Sequence, residues 1–185
     1  FNEEKGIEAC INKIQSIFEK KLKNYNYEHI ICDNSSNDKT LDILREYSKK
    51  NHNIKVIVNS RNFGILKNTF NGVLHSSGDA TLLFFPVDMQ DPPEIIPDFI
   101  KEWESGYEVV YGIRGTREEP FLISSARKLY YRLLSFVTYV NYPPDVGDFQ
   151  LIDKKVLEVL KQTYDAQPFM RLMTFDIGFK SKGIR

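Results

Sequence analysis

Three oxygen-bearing side chains, Asp88, Gln90 and Asp91, follow an apolar run at residues 80–85 and lead into Pro92 and Pro93. Carboxylate and amide oxygens are hard ligands that suit Mg²⁺ or Mn²⁺ better than a soft metal. The apolar run is long enough for one buried strand, and the prolines close a turn behind it. Oxygen donors are therefore presented at the C-terminal end of a strand. Open α/β sheets bind ligands at that edge, and a divalent cation there would carry a phosphorylated substrate.

The elements that must position this turn can be followed along the chain. Over residues 3–22, Ile7, Ile11, Ile14, Phe18 and Leu22 recur every three or four positions, which predicts a helix with one buried face. Residues 27–32 predict a strand, and 33–38 (Asp33-Asn34-Ser35-Ser36-Asn37-Asp38) are turn and cap chemistry before a helix carrying Leu41, Leu44 and Tyr47. A strand at 54–58, the loop Arg61-Asn62-Phe63-Gly64 and a helix through Phe70, Val73 and Leu74 precede the apolar run. A helix over 94–104 and a strand over 107–111 follow. The repeated β-α units predict a mainly parallel sheet. Residues 121–140 predict a long helix in which Leu129, Tyr130, Leu133 and Phe136 interleave with Arg127, Lys128 and Arg132, a pattern that suits a membrane surface or packing across the sheet.

Composition narrows the function classes. With 185 residues, 42% of them hydrophobic, the chain has material for one cored domain, expected to span 1–185. Lys+Arg and Asp+Glu both number 25, so no overall basic field points to nucleic acid, which is not expected as a partner. Cys10 and Cys32 fall in a predicted helix and strand without metal-ligand spacing and are expected to be reduced thiols, as in a cytosolic compartment. No apolar run reaches the ~18 to 20 residues of a spanning helix, so the chain itself is expected to be soluble or peripheral. No G-x-G-x-x-G or Walker-type loop occurs, and His29, His52 and His75 show no ligand or triad spacing.

The segment Gly78 to Glu94, with Asp88-Met89-Gln90-Asp91-Pro92-Pro93-Glu94, resembles the metal-binding region of family 2 glycosyltransferases, above all the polyprenyl-phosphate glycosyltransferases of the dolichol-phosphate mannose synthase type, whose text is D-A-D-L-Q-D-P-P-E. Pro86 stands where those enzymes carry the first Asp of D-x-D. Further motifs follow in the family's order. Residues 32–40 are similar to V-D-D-G-S-x-D-x-T, with Asn34 at the second Asp. Arg61-Asn62-Phe63-Gly64 is similar to R-N-x-G, without the Lys that often follows. Asp145 to Leu151 resembles D-x-G-D-F-R-L, with Gln150 in place of Arg; Tyr111 to Arg114 resembles Y-G-x-R, and Phe169-Met170-Arg171 resembles F-L-R. Taken alone, residues 143–148 are a turn and residues 33–38 an ordinary loop and helix cap.

The resemblance implies a GT-A fold: a Rossmann-like three-layer α/β sandwich with a mixed, mostly parallel central sheet. It implies inverting transfer of a sugar from a UDP- or GDP-sugar donor to a polyprenyl phosphate acceptor, with Mg²⁺ or Mn²⁺ as cofactor. Transfer to a saccharide hydroxyl in surface polysaccharide synthesis and a nucleotide-sugar-binding domain impaired in turnover are the alternatives. Carried over position by position, Asp148 is the catalytic or acceptor-orienting carboxylate, and Asp33, Asn34, Arg61 and Asp88 face the nucleotide. Asp88 and Gln90 would hold the metal, and Arg114, Arg171 and Arg127 the acceptor phosphate. The resemblance also implies work at the cytoplasmic face of a membrane, a first strand ahead of Phe1 and membrane helices beyond Arg185. Homo-oligomerisation is left open.

Overall fold

The periodic apolar residues of the first segment form α1, Ile7–Lys21, which buries Ile7, Cys10, Ile11, Ile14 and Ile17 along one stripe. Strand β1, His29–Asp33, pairs in parallel with β2, Ile54–Val58, and α2, Thr40–Lys50, connects the two. Helix α3, Ile65–Leu74, then leads to β3, Ala80–Leu83. The structure, a computed structural model, describes residues 1–83, 91–113 and 146–185. After a 3-10 turn at Pro93–Ile95 come α4, Ile96–Glu104, and β4, Val109–Ile113. The last described elements are β5, Val146–Asp153; α5, Lys154–Gln162; α6, Met170–Asp176; and β6, Ser181–Ile184.

Strands β3, β5, β4 and β6 hydrogen-bond in that order. Strand β5 is antiparallel to both its neighbours, whereas β4 and β6 are parallel. Thus β3, β4 and β6 share one direction and β5 alone opposes them, so this sheet is mixed, with two of its three pairings antiparallel, and β1 and β2 pair as a separate two-stranded sheet. Alternation along β5 splits its side chains between two cores. Phe149 and Leu151 pack with Ile14 and Ile17 of α1 and Ile96, Phe99 and Ile100 of α4. Ile152 packs with Val73 of α3, Val156, Leu157 and Leu160 of α5 and Met170 of α6. Helices therefore cover both faces, the three-layer sandwich that the family resemblance implies. Phe99 and Phe149, both fully buried, lie with ring centroids 4.6 Å apart at the middle of the first core.

Helix α3 approaches β1 closely because residue 72 is glycine: a Cβ there would stand 2.9 Å from Cys32 Sγ. Neither Cys10 in α1 nor Cys32 in β1 forms a disulfide, as expected.

Several expectations are corrected. The first helix begins at Ile7 rather than at residue 3, because the N–H groups of Asn2, Glu3 and Glu4 donate to side chains of Ser36, Thr40 and Asp38 instead of entering a helix. Glu94 lies in the 3-10 turn and α4 starts at Ile96; prolines at 93 and 97 are accommodated because the first turn of a helix leaves their missing N–H without consequence. Residues 146–148 are strand, not turn, since Val146 is buried and pairs with Ile113 of β4. The strands expected at 27–32 and 107–111 each begin two residues later, as β1 and β4. The helix expected over 121–140 lies outside the described residues.

Candidate active site

Two clusters of candidate residues form at strand ends. The first follows β1. Asp33 and Asn34 are buried, at 2% and 5% exposure. The Asp33 carboxylate accepts from the Ser36 N–H at 3.0 Å and from the Ser36 hydroxyl, closing a turn in which Ser35 takes φ 65°. Asn2, at φ 58°, is the other non-glycine residue with positive φ among the described residues, and it sits against that same turn. Its N–H donates to Ser36 Oγ at 3.0 Å, and its Oδ1 accepts from the Asn37 N–H at 2.9 Å. Left-handed backbone costs an L-residue about 1 kcal/mol or more, so two such residues in one contact mark a loop held against local preference. Desolvation acts to raise the Asp38 carboxyl, but hydrogen bonds from Thr40 and from the Glu4 N–H more than offset it and hold it below the usual carboxylate value.

Asn34 joins this turn to the loop after β2. Its Nδ2 donates to Asn62 Oδ1 at 2.9 Å and to the Gly64 carbonyl at 3.4 Å, while its Oδ1 accepts from the Phe63 N–H at 3.0 Å and from Asn59 Nδ2 at 3.1 Å. Asn59 also donates to Asn68 Oδ1 at 2.7 Å and accepts from Asn71 Nδ2 at 3.1 Å, and Asn68 Nδ2 returns to the Cys32 carbonyl at 3.1 Å. Gly64, at φ 82°, places its N–H on Asn62 Oδ1 at 2.9 Å. This lattice fixes the backbone beside Arg61, whose exposed guanidinium lies 4.0 Å from the Phe63 ring centroid. Asp33, Asn34 and Arg61 are thus brought to one place. Asn59, Asn68 and Asn71 were not among the sequence candidates. Their signal is a pair of asparagines one turn apart inside α3, where this poor helix former has little reason to recur.

The second cluster lies across β5 and α6. Arg171 Nε donates to Asp148 Oδ1 at 2.8 Å and its Nη2 to Oδ2, a two-pronged ion pair whose side chains are 28% and 24% exposed. The guanidinium also lies 5.3 Å from the Phe169 ring centroid. Gln150, where the family text carries Arg, is fully buried and accepts from Thr174 Oγ1 at 2.8 Å, so that position faces the interior here. Strand β3 ends at Leu83 opposite Gln150, and β4 shifts register between Tyr111 and Ile113, the latter opposite Val146. The C-terminal end of β3 therefore lies toward the Asp148 end of β5.

Asp88, Gln90, Arg114 and Arg127 lie outside the described residues, as does Pro86. Among the described residues no group of three or more His, Cys, Asp or Glu is placed to hold a metal ion, and no helix is long and apolar enough to cross a membrane.

Residues 1–161 match Glycosyl transferase family 2. The chain belongs to that family. It is 35% identical, over all 185 residues, to an uncharacterized glycosyltransferase of Bacillus subtilis, YkcC, of which it covers 56%. It is 30% identical to the bactoprenol glucosyl transferase of Shigella phage SfV over 172 residues, 92% of this chain and 55% of that protein. The chain thus spans about half the length of the curated relatives it matches. Among solved structures, S. aureus TarS 1-349 is similar over the whole chain and 55% of its own, with TM-score 0.63 and 17% identity. Mannosyltransferase PcManGT from Pyrobaculum calidifontis, in complex with GDP-Man and Mn²⁺, covers 91% of this chain and 51% of its own, with TM-score 0.57 and 15% identity. The GT-A fold expected from the motifs is the fold observed, and the family read from them is the family matched.

Proposed function

We propose that residues 1–185 are a glycosyltransferase catalytic domain that moves a sugar, with inversion, from a UDP- or GDP-sugar to a polyprenyl phosphate at the cytoplasmic face of a membrane. The observation that carries this is the similarity to bactoprenol glucosyl transferases over nine-tenths of the chain. Asp33, Asn34 and Arg61 are assigned to the nucleotide. The lattice of asparagines supports the assignment, because it holds their two loops together without a ligand. Arg114, Arg127 and Arg171 are assigned to the acceptor phosphate, where planar guanidinium groups suit oxyanions.

The acceptor's chemistry fits the way Asp148 is engaged. A lipid phosphate is largely ionised near neutral pH, its second pKa lying at about 6, so its oxygen attacks the anomeric carbon without a strong base. Asp148, held by two guanidinium nitrogens of Arg171, Nε and Nη2, orients that cation beside the acceptor. A saccharide hydroxyl would instead need Asp148 free to take a proton. Asp88 and Gln90 would hold Mg²⁺ or Mn²⁺, since both bring hard oxygen donors. When bound, the metal offsets charge on the departing nucleoside diphosphate.

The test is sugar transfer by the full-length, membrane-inserted protein to undecaprenyl phosphate and, in parallel, to soluble sugars. Faster transfer to the lipid phosphate is expected. Preference for a soluble acceptor would overturn the lipid assignment, and donor binding with no transfer to either would leave a binding domain.

A further inference from the structure

Two polar side chains are fully buried between β5 and α6, Gln150 and Thr174, and the active-site roles assigned so far use neither. Gln150 shares its face of β5 with Asp148, two residues earlier, and with Ile152, two later. Ile152 meets an apolar layer of valine, leucine and methionine side chains, so an amide on that face costs stability unless its polar atoms are paired. They are paired with α6. Thr174 Oγ1 donates to Gln150 Oε1 at 2.8 Å, and Gln150 Nε2 makes longer contacts to the carbonyls of Arg171, at 3.4 Å, and Gly147, at 3.5 Å.

The amide thus touches the backbone of the residue whose side chain grips Asp148. Arg171 and Thr174 are three apart on α6 and lie on one side of that helix. Asp148 and Gln150 are two apart on β5 and lie on one face. The result is a ladder of two rungs: an exposed-end rung, Asp148–Arg171, and a buried rung, Gln150–Thr174. Slipping α6 by one residue would break both together.

We propose that Gln150 and Thr174 are positioning residues for Arg171, fixing the register of α6 on β5 so that the guanidinium stands ready for an anionic phosphate. The inference rests on the assignment of Arg171 to the acceptor phosphate. It also gives the glutamine at this position a role: a neutral buried clasp in place of a second cation, leaving Arg171 as the described cation on this ladder.

Replacing both partners of a buried hydrogen bond by apolar groups of similar shape can be nearly neutral for stability, so the paired variant Gln150→Leu with Thr174→Val is the informative one. In the full-length protein it is expected to keep its thermal midpoint within a few degrees and its KM for the nucleotide-sugar, while the KM for polyprenyl phosphate rises about tenfold. In an Arg171→Ala background the same pair should add no further loss, because the side chain being positioned is gone. Thr174→Ser, which retains the hydroxyl, should stay near wild type. A folded paired variant with unchanged acceptor KM, or losses that add fully to Arg171→Ala, would overturn the proposal.

A second readout separates this from the assigned reaction. The Arg171 Nε–H resonance should exchange slowly in the wild-type protein and lose that protection in the paired variant. If the wild type transfers sugar to no lipid phosphate, the reaction fails while the Nε–H signal still decides the ladder. An Nε–H unchanged by the paired substitution refutes the positioning role whatever the acceptor.

Discussion

Asn34 donates its amide N–H to Asn62 Oδ1 at 2.9 Å, and this bond ties the turn after β1 to the loop after β2. Aspartate, the residue the family motif carries there, would lose that donor and set a carboxylate against the Asn62 oxygen. Rotating the Asn62 amide does not relieve the conflict, because the same oxygen accepts from the Gly64 N–H at 2.9 Å. Asn34→Asp is therefore expected to lower stability by about 1–3 kcal/mol and to weaken nucleotide-sugar binding through the displaced Arg61 loop. Urea unfolding together with donor calorimetry checks both effects. An unshifted midpoint would show that the asparagine lattice is not cooperative.

His29, at the start of β1, leads to a pH effect. Its Nδ1 is shielded from solvent and has no hydrogen-bond partner among the described residues, and burial pushes the ring down to about 4 from an ordinary 6.5. Between those two values the unfolded chain binds a proton that the folded chain refuses. Stability is therefore full above about pH 6.5 and falls as pH drops toward 4, by up to about 3 kcal/mol. Unfolding free energies at several pH values should show this slope in the wild type and a flatter one in His29→Leu. Equal slopes would place the acid sensitivity elsewhere.

Much of the layer order was legible because burial follows period: isoleucines every three or four residues gave α1, and alternating β-α text gave strands whose direction is mostly shared. What escaped has a local cause. Residues 2–4 carry no signal of their own against a helix; they leave it because Ser36, Asp38 and Thr40, more than thirty residues on, accept their N–H groups. Residues 146–148 look like a turn because Gly147 and the two prolines before them punctuate the text, yet pairing with β4 makes them strand. The site divides in the same way. The positions of Asp33, Arg61 and Asp148 could be named from motif order, but the residues that brace their neighbours, Asn59 and Asn68 around Asn34 and Thr174 on Gln150, sit in helices or loops whose proximity only the fold creates.

The metal assignment to Asp88 and Gln90 has a consequence for donor binding. If Asp88 supplies a carboxylate that the position of Pro86 does not, Asp88→Ala should remove most of the Mn²⁺-dependent part of nucleotide-sugar affinity, tenfold or more in rough terms, with the fold intact. Titrations of donor with and without Mn²⁺ measure it. A metal-dependent increment that survives the substitution would take Asp88 out of the site.

The ion pair of Asp148 and Arg171 distinguishes an orienting carboxylate from a proton acceptor. Asp148→Asn leaves an oxygen for the Arg171 Nε but removes the charge that fixes the guanidinium, and Arg171→Ala strands the carboxylate; each is expected to lower kcat/KM for the lipid phosphate by about tenfold to a hundredfold while donor affinity holds. With an acceptor already ionised, the shape of the pH–rate profile between about pH 5 and 9 should be the same in wild type and Asp148→Asn, only lower. Were Asp148 the base for a hydroxyl acceptor, the substitution would instead erase the acid limb and nearly all turnover. The shape of that profile, more than the size of the loss, therefore decides what Asp148 does.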